Sequence, residues 1–259
     1  METKQAHNLR FDRGATHLVV GPSASGKTFR TCNILANKDT LIEGGDQIKN
    51  VVFFYSVWQD IYQEMKDRGV VTKFINKKPS VEEFVKQVGE YKDKGGSIVV
   101  IGRKKKYIYC GEIREKNFLY GNRSFSDDFM GHIDEDMVSI VTVHSRHYLT
   151  STFLLFQSLF PANRLARQIS LNVKFIHCHK NPRENAQFQV LARQLMPKDW
   201  RWLVEVYHEV SKIPHGCLLI DMTQKRNEVL RFRSNYLPHE FPMRVWYSKN
   251  DENVMQELM

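Results

Sequence analysis

The sequence has no apolar run approaching the ~20 residues that cross a bilayer, so no membrane-spanning helix organises it. Its four cysteines, Cys32, Cys110, Cys178 and Cys217, are scattered and form no C-x-x-C pair. That spacing argues against a zinc site or a disulfide frame and for reduced thiols inside a cell. Met1 to Arg13 is polar and lacks the apolar core of a secretory signal. There is no internal repeat and no low-complexity tract. What remains is an ordinary globular composition, 42% hydrophobic and 26% charged, with enough chain for one large domain or two small ones.

A net charge of +9 points to an anionic partner such as nucleic acid. Much of it is local. Gly102–Ser126 holds seven Lys/Arg against two Asp/Glu, a net +5, and the rest of the chain carries only +4.

The most informative stretch is Thr16–Thr28, THLVVGPSASGKT. It reads as a short apolar strand, a glycine-bounded loop and the start of a helix. Gly21, Gly26, Lys27 and Thr28 fit G-x-x-x-x-G-K-[ST], the phosphate-binding P-loop. Gly21 lets the chain leave the strand sharply, and Gly26 lets backbone amides approach a phosphate with no β-carbon between. Ser23, Ala24 and Ser25 are small enough for the turn, and Pro22 removes only one amide from the nest. Lys27 can reach the β- and γ-phosphates of ATP, and the Thr28 hydroxyl can ligate Mg²⁺.

In chain order, residues 1–15 are a polar lead-in. Residues 16–247 read as one P-loop domain, and the polar tail 248–259 is expected to fray. Continuous apolar runs at 16–20, 51–55 and 97–101 predict buried parallel strands. Further strands are expected at 72–75, 151–156, 173–178, 217–221 and 229–233. Helices are expected at 26–36, 59–68, 80–92, 134–143, 184–195 and 200–210, with Gly69 closing the second and a Ser80–Glu83 capping box opening the third. Alternating strands and helices predict an α/β fold with a mainly parallel sheet flanked by helices. Ligands in such sheets sit beyond the carboxyl ends of the strands, where the P-loop lies.

A P-loop NTPase also needs a carboxylate after a neighbouring apolar strand. Ser97–Ile101 supplies the strand and Asp127-Asp128 the carboxylates, with Gly102–Ser126 between them. Without that segment the line reads SIVVIDDFMG, a good Walker B motif. Codons for its Gly-Arg start and Phe-Ser end can spell splice signals, so it reads as an insertion, either a translated intron or a basic surface loop. A rival motif, Cys217–Asp221, has one carboxylate and comes late. His177-Cys178-His179 reads as a strand with alternating faces, not as a metal site.

The string Gly21–Thr28, Asp127-Asp128, His144–His147, Phe156–Phe160, Arg167–Asn172 and Lys180–Arg183 resembles viral-type DNA-packaging ATPases. The likeness is to those of adenoviruses and of Polinton- or adintovirus-like mobile elements, and more distantly to FtsK–HerA ATPases. It covers roughly residues 8–240. It implies a RecA-like or ASCE-type P-loop NTPase core, ATP and Mg²⁺ as cofactors, a homo-oligomeric ring, double-stranded DNA as the load and no membrane partner. It makes Lys27, Asp128 and Gln157 the catalytic set, Gly21–Thr28 the nucleotide cradle, and Thr28 with Asp127 the metal ligands. Gln157 would touch the γ-phosphate or the water. Arg164, Arg167, Arg183 and Arg193 become arginine-finger candidates, and His144 and His147 phosphate or DNA contacts. An intracellular setting follows, at a nucleus, a virion-assembly site or in the cytoplasm. Two other classes stay open: a P-loop kinase for a nucleotide or small metabolite, and a decayed nucleotide- or DNA-binding protein without turnover.

Overall fold

The computed structural model describes residues 9–102, 133–160, 163–183, 185–240 and 242–258. Within them the strands are β1 (Thr16–Val20), β2 (Asn50–Phe54), β3 (Lys73–Ile75), β4 (Ser97–Ile101), β5 (Thr150–Phe156), β6 (Phe175–His179), β7 (Cys217–Asp221), β8 (Phe232–Ser234) and β9 (Arg244–Trp246). They form one sheet in the order β3-β2-β4-β5-β1-β6-β7-β8-β9. β3 through β6 are parallel, and β7, β8 and β9 run antiparallel to their neighbours. β5 lies between the P-loop strand β1 and β4, the strand that carries the apolar half of the carboxylate motif.

The central strands are buried along their length and mostly apolar because helices cover both faces. Leu18, Val20, Val52, Phe54, Val99, Ile101, Leu154 and Phe156 enter one core. Helices α4 (Val81–Val88), α5 (Glu135–Ser139), α7 (Arg164–Asn172), α8 (Asn185–Leu195) and α9 (Trp200–Lys212) contribute to that core. Val19, Val51, Phe53, Ile98, Val100 and Phe153 enter the other, under α1 (Lys27–Ala36) and α3 (Asp60–Asp67). The short α2 (Lys38–Leu41) follows α1 directly. Each of these side chains, fully buried, stabilises the fold by about 1.5–3 kcal/mol.

β1 to β8 and most helices stand close to where the apolar patterns place them, while β9 has no counterpart among the expected strands. Ser80 caps α4, its Oγ accepting from Glu83 N at 3.2 Å. Gly69 follows α3 with φ 64°, the left-handed position that suits glycine. The lead-in is less polar in effect than in composition, because Phe11 is buried and packs edge-on against His17 and Phe175. The tail does not fray. Residues 252–258 form α10, with Met255 buried beside Val229 and Leu230. α7 escapes the sequence pattern because only Ala166 and Ile169 are buried along it. The helical stretch before β5 includes a π-helical turn, Ile140–His144, followed by the single-turn α6 (Ser145–His147). There Ser145 Oγ donates to Ile140 O at 2.7 Å and meets Thr152 Oγ1 at 2.7 Å.

Candidate functional site

Parallel register brings the carboxyl ends of β1, β2, β4, β5 and β6 to one edge of the sheet. The loop 21–26 leaves β1 there. A β-carbon on Gly21 would stand 2.8 Å from His179 Cβ and 2.6 Å from Ser25 Oγ, so only glycine permits this approach. Ala24 (φ 62°) and Gly26 (φ 97°) are left-handed, with Ser25 on the ordinary side between them. Such alternation turns successive amides toward one point, the geometry of an anion nest. Holding a residue with a β-carbon there costs about 1–2 kcal/mol at Ala24. Helix α1 begins at Lys27 and has no acidic residue in its first turn, so its positive end is not neutralised.

Lys27 is buried, and its ammonium donates to Gly21 O at 2.5 Å and Pro22 O at 2.7 Å. These carbonyls offer it the kind of oxygen that a phosphate would. Thr28 is half-buried in the same turn and supplies the hard oxygen donor that Mg²⁺ prefers. The residue types and backbone shape of 21–28 therefore fit a magnesium-bound polyphosphate.

Gln157 follows β5 directly. Phe156 pairs with Val20, and Gly21 N donates to Phe156 O at 3.2 Å, so Gln157 stands beside the first residue of the loop. Its carbonyl accepts from Asn181 Nδ2 at 3.4 Å. β4 ends at the same edge, with Gly102 N donating to Phe54 O at 2.9 Å. Asp127 and Asp128, with the 103–126 segment, lie outside the described residues. Of the arginines, Arg164, Arg167 and Arg183 are exposed, and Arg183 follows β6 on the P-loop edge. The Arg193 guanidinium is already stacked on Trp200 at 4.3 Å.

Two sequence readings are corrected. Asp221 cannot complete the P-loop site, because β7 is antiparallel and Asp221 pairs with Phe175 at the opposite edge. Its carboxylate instead accepts from Arg233 at 2.7 Å and Arg226 at 3.2 Å. His144 and His147 precede the amino end of β5, also at the far edge, so neither can touch a phosphate in the loop. The alternating reading of His177–His179 holds: His177 hydrogen-bonds His17 and Tyr236 on one side, while Cys178 enters the other core.

The surroundings of the loop include residues that sequence patterns do not reveal. Arg30, one turn into α1, reaches Glu240 with bonds of 2.6 and 3.1 Å and His215 O at 3.2 Å. Burial works against its charge, but Tyr236, Cys217 and Glu240 outweigh it and raise its pKa. His179, under Gly21, is pushed down to about 3 by burial, then by Arg30 and Lys27, and is neutral at ordinary pH. His215 overhangs Gly26 from the turn before β7. These contacts join residues some 150 to 210 positions apart, so no local sequence pattern reveals them.

The fold and the loop together define the fold class: an α/β sheet of the P-loop type, with one strand inserted between the P-loop strand and β4. No family model matches the chain, and no curated protein matches its sequence. Among solved structures it is similar to B204, the DNA-packaging ATPase from Sulfolobus Turreted Icosahedral Virus. That match has 11% identity and a TM-score of 0.45, covering 83% of this chain and 95% of that one. It is also similar to the genome packaging NTPase B204 from Sulfolobus turreted icosahedral virus 2 in complex with ATP-gammaS. There the identity is 10% and the TM-score 0.42, covering 82% and 95% of the two chains.

Proposed function

We propose that the chain is an ATPase whose turnover drives DNA translocation, with packaging of a virus-like or mobile-element genome as its particular work. The observation that carries the ATPase reading is the convergence of three strand ends: β1 runs into the phosphate cradle, Gln157 follows β5 beside it, and β4 ends on the far side of β5. Translocation and packaging are supported by the sequence resemblance.

ATP supplies the transferable phosphoryl group, and Mg²⁺ spreads the charge on its oxygens. The amides of 21–26 and the start of α1 hold the phosphates. Lys27 exchanges the carbonyls of Gly21 and Pro22 for β- and γ-phosphate oxygens. Thr28 and Asp127 would hold the magnesium, Asp128 would polarise the attacking water, and Gln157 would orient that water or contact the γ-phosphate. In a homo-oligomeric ring, Arg164, Arg167 or Arg183 would act on the neighbouring subunit's site.

The test is Mg-ATP hydrolysis with and without duplex DNA, for the full chain, for a chain lacking Gly102–Ser126, and for Lys27→Ala. The expected result is DNA-stimulated hydrolysis that falls at least ~100-fold in Lys27→Ala, the size of one lost electrostatic stabiliser. Undiminished activity in Lys27→Ala would sink the assignment. Phosphoryl transfer to an added acceptor would select a kinase, and binding without turnover in either chain a decayed binder. Hydrolysis by the shortened chain alone would mark the segment as an intruder in the carboxylate motif.

A further inference from the structure

We infer that His215 and Phe29 form the platform on which the nucleobase rests, an aromatic site that holds a purine by stacking. The inference deepens the P-loop reading above and depends on it.

β7 runs antiparallel, so the turn that precedes it emerges on the P-loop edge, where Cys217 pairs with His179. His215 sits in that turn, exposed, with its Nδ1 3.4 Å from Ser25 O. A β-carbon on Gly26 would stand 3.1 Å from that nitrogen, so the imidazole lies directly against the loop. Its backbone is left-handed, φ 59°, a region that residues with a β-carbon seldom adopt. Gly216 behind it admits no side chain, since a β-carbon would fall 2.1 Å from Val210 O. Arg30 donates to the His215 carbonyl at 3.2 Å and is itself fixed by Glu240. The turn is thus held against α1 in an unfavourable conformation while its ring stays in solvent. Strain retained around an exposed side chain beside a ligand cradle points to contact with the ligand.

Phe29 is the second half. It is 57% exposed although α1 buries Lys27, Arg30, Thr31, Cys32, Ile34 and Leu35. Gly26 and Phe29 are three residues apart and share a face of the first turn. That face is the one His215 overhangs at Gly26. A nucleotide with its phosphates in the loop extends its base into the space outside the start of α1. Both rings would read the base through its face, so purines should bind better than pyrimidines, with little separation of adenine from guanine.

The experiment measures binding of ADP, GDP, CDP and tripolyphosphate to the full chain by calorimetry. His215→Ala, Phe29→Ala and Lys27→Ala are compared, with His215→Gly keeping the left-handed turn. Loss of either ring should weaken ADP about tenfold, one base–aromatic stack, and leave tripolyphosphate within about twofold. Lys27→Ala should weaken both. Equal loss of ADP and tripolyphosphate in the ring variants, or no loss of ADP, overturns the platform. So does wild-type protein that binds CDP or tripolyphosphate as tightly as ADP. Wild-type protein that binds none of the four overturns the P-loop reading as well.

Discussion

Arg30 and Glu240 form a two-pronged ion pair, with N–H···O distances of 2.6 and 3.1 Å, that ties the helix of the P-loop to the end of the segment after β8. The Tyr236 ring centroid lies 5.1 Å from the guanidinium, and the Arg30 side chain is 5% exposed. Residues 213–240 therefore brace the phosphate cradle from behind. A cation this deeply placed tolerates removal of its partner poorly, because the charge stays buried.

Glu240→Ala should accordingly destabilise the fold. Breaking a fully buried pair from one side costs about 3–5 kcal/mol. Glu240 keeps 22% of its side chain exposed, so water reaches the site and about 2 kcal/mol is the expected loss. Urea unfolding measures it. Arg30→Met combined with Glu240→Leu removes both charges and should be more stable than Glu240→Ala alone. A double variant that is less stable would show that packing, not the unpaired charge, dominates.

Asp221 and Asp128 separate stability from chemistry. Asp221 is 2% exposed and meets Arg233, whose side chain is fully buried. Asp221→Asn should cost about 3 kcal/mol and leave turnover per folded molecule unchanged. Asp128→Asn, as the proposed water-activating carboxylate, should do the reverse: near-normal unfolding and at least ~100-fold slower hydrolysis. The paired measurement is thermal unfolding alongside ATPase rate. Slow turnover in a folded Asp221→Asn would reopen the late carboxylate as a catalytic group.

The fold was legible where burial is symmetric. β1, β2 and β4 are buried without interruption, and apolar after their first one or two residues, because both faces are covered, and the P-loop announces itself through glycines at fixed spacing. α7 was not legible, since two buried residues make no period, and neither was α10, anchored by the single side chain of Met255. At the site, Gly21, Lys27 and Thr28 could be read because their contacts are local. Arg30, His179, His215 and Glu240 could not, because what defines them is the antiparallel return of β7, a long-range fact. The same return disqualifies Asp221, whose apolar run looks correct but points the wrong way.

Gly21→Ala tests how tightly the loop is seated. The new methyl would meet His179 Cβ at 2.8 Å, a backbone-anchored atom that cannot swing aside. The loop must shift, and a displacement of about 1 Å at a catalytic cradle costs on the order of 100-fold. Nucleotide affinity should fall by that order while the sheet, whose hydrogen bonds do not involve the methyl, stays folded by circular dichroism. Unchanged affinity would mean that the loop has slack the geometry does not suggest.

Acid sensitivity follows from the buried histidines. His17 is pushed down to about 3 by burial, and His179 to about 3 by burial, Arg30 and Lys27. His177 lies well below its ordinary value, through burial first and then His17 and Arg30. In the unfolded chain each takes up a proton near pH 6.5. The folded pKa is the depressed one, so the stability is fully present above about pH 6.5 and is lost as pH falls toward 3. Each such histidine contributes a slope of about 1.4 kcal/mol per pH unit in that window. Against a typical reserve of about 5–15 kcal/mol, three of them bring acid unfolding to about pH 3–5. His17→Phe should keep the ring stacked between Phe153 and Phe175, at 4.1 and 4.9 Å, and remove one titrating site. Its hydrogen bond to His177 is lost at every pH, which lowers the level of stability; the slope is the diagnostic quantity. Denaturant midpoints between pH 7.5 and 5 should flatten by about a third in the variant. An unchanged slope would place the acid response in the carboxylates instead.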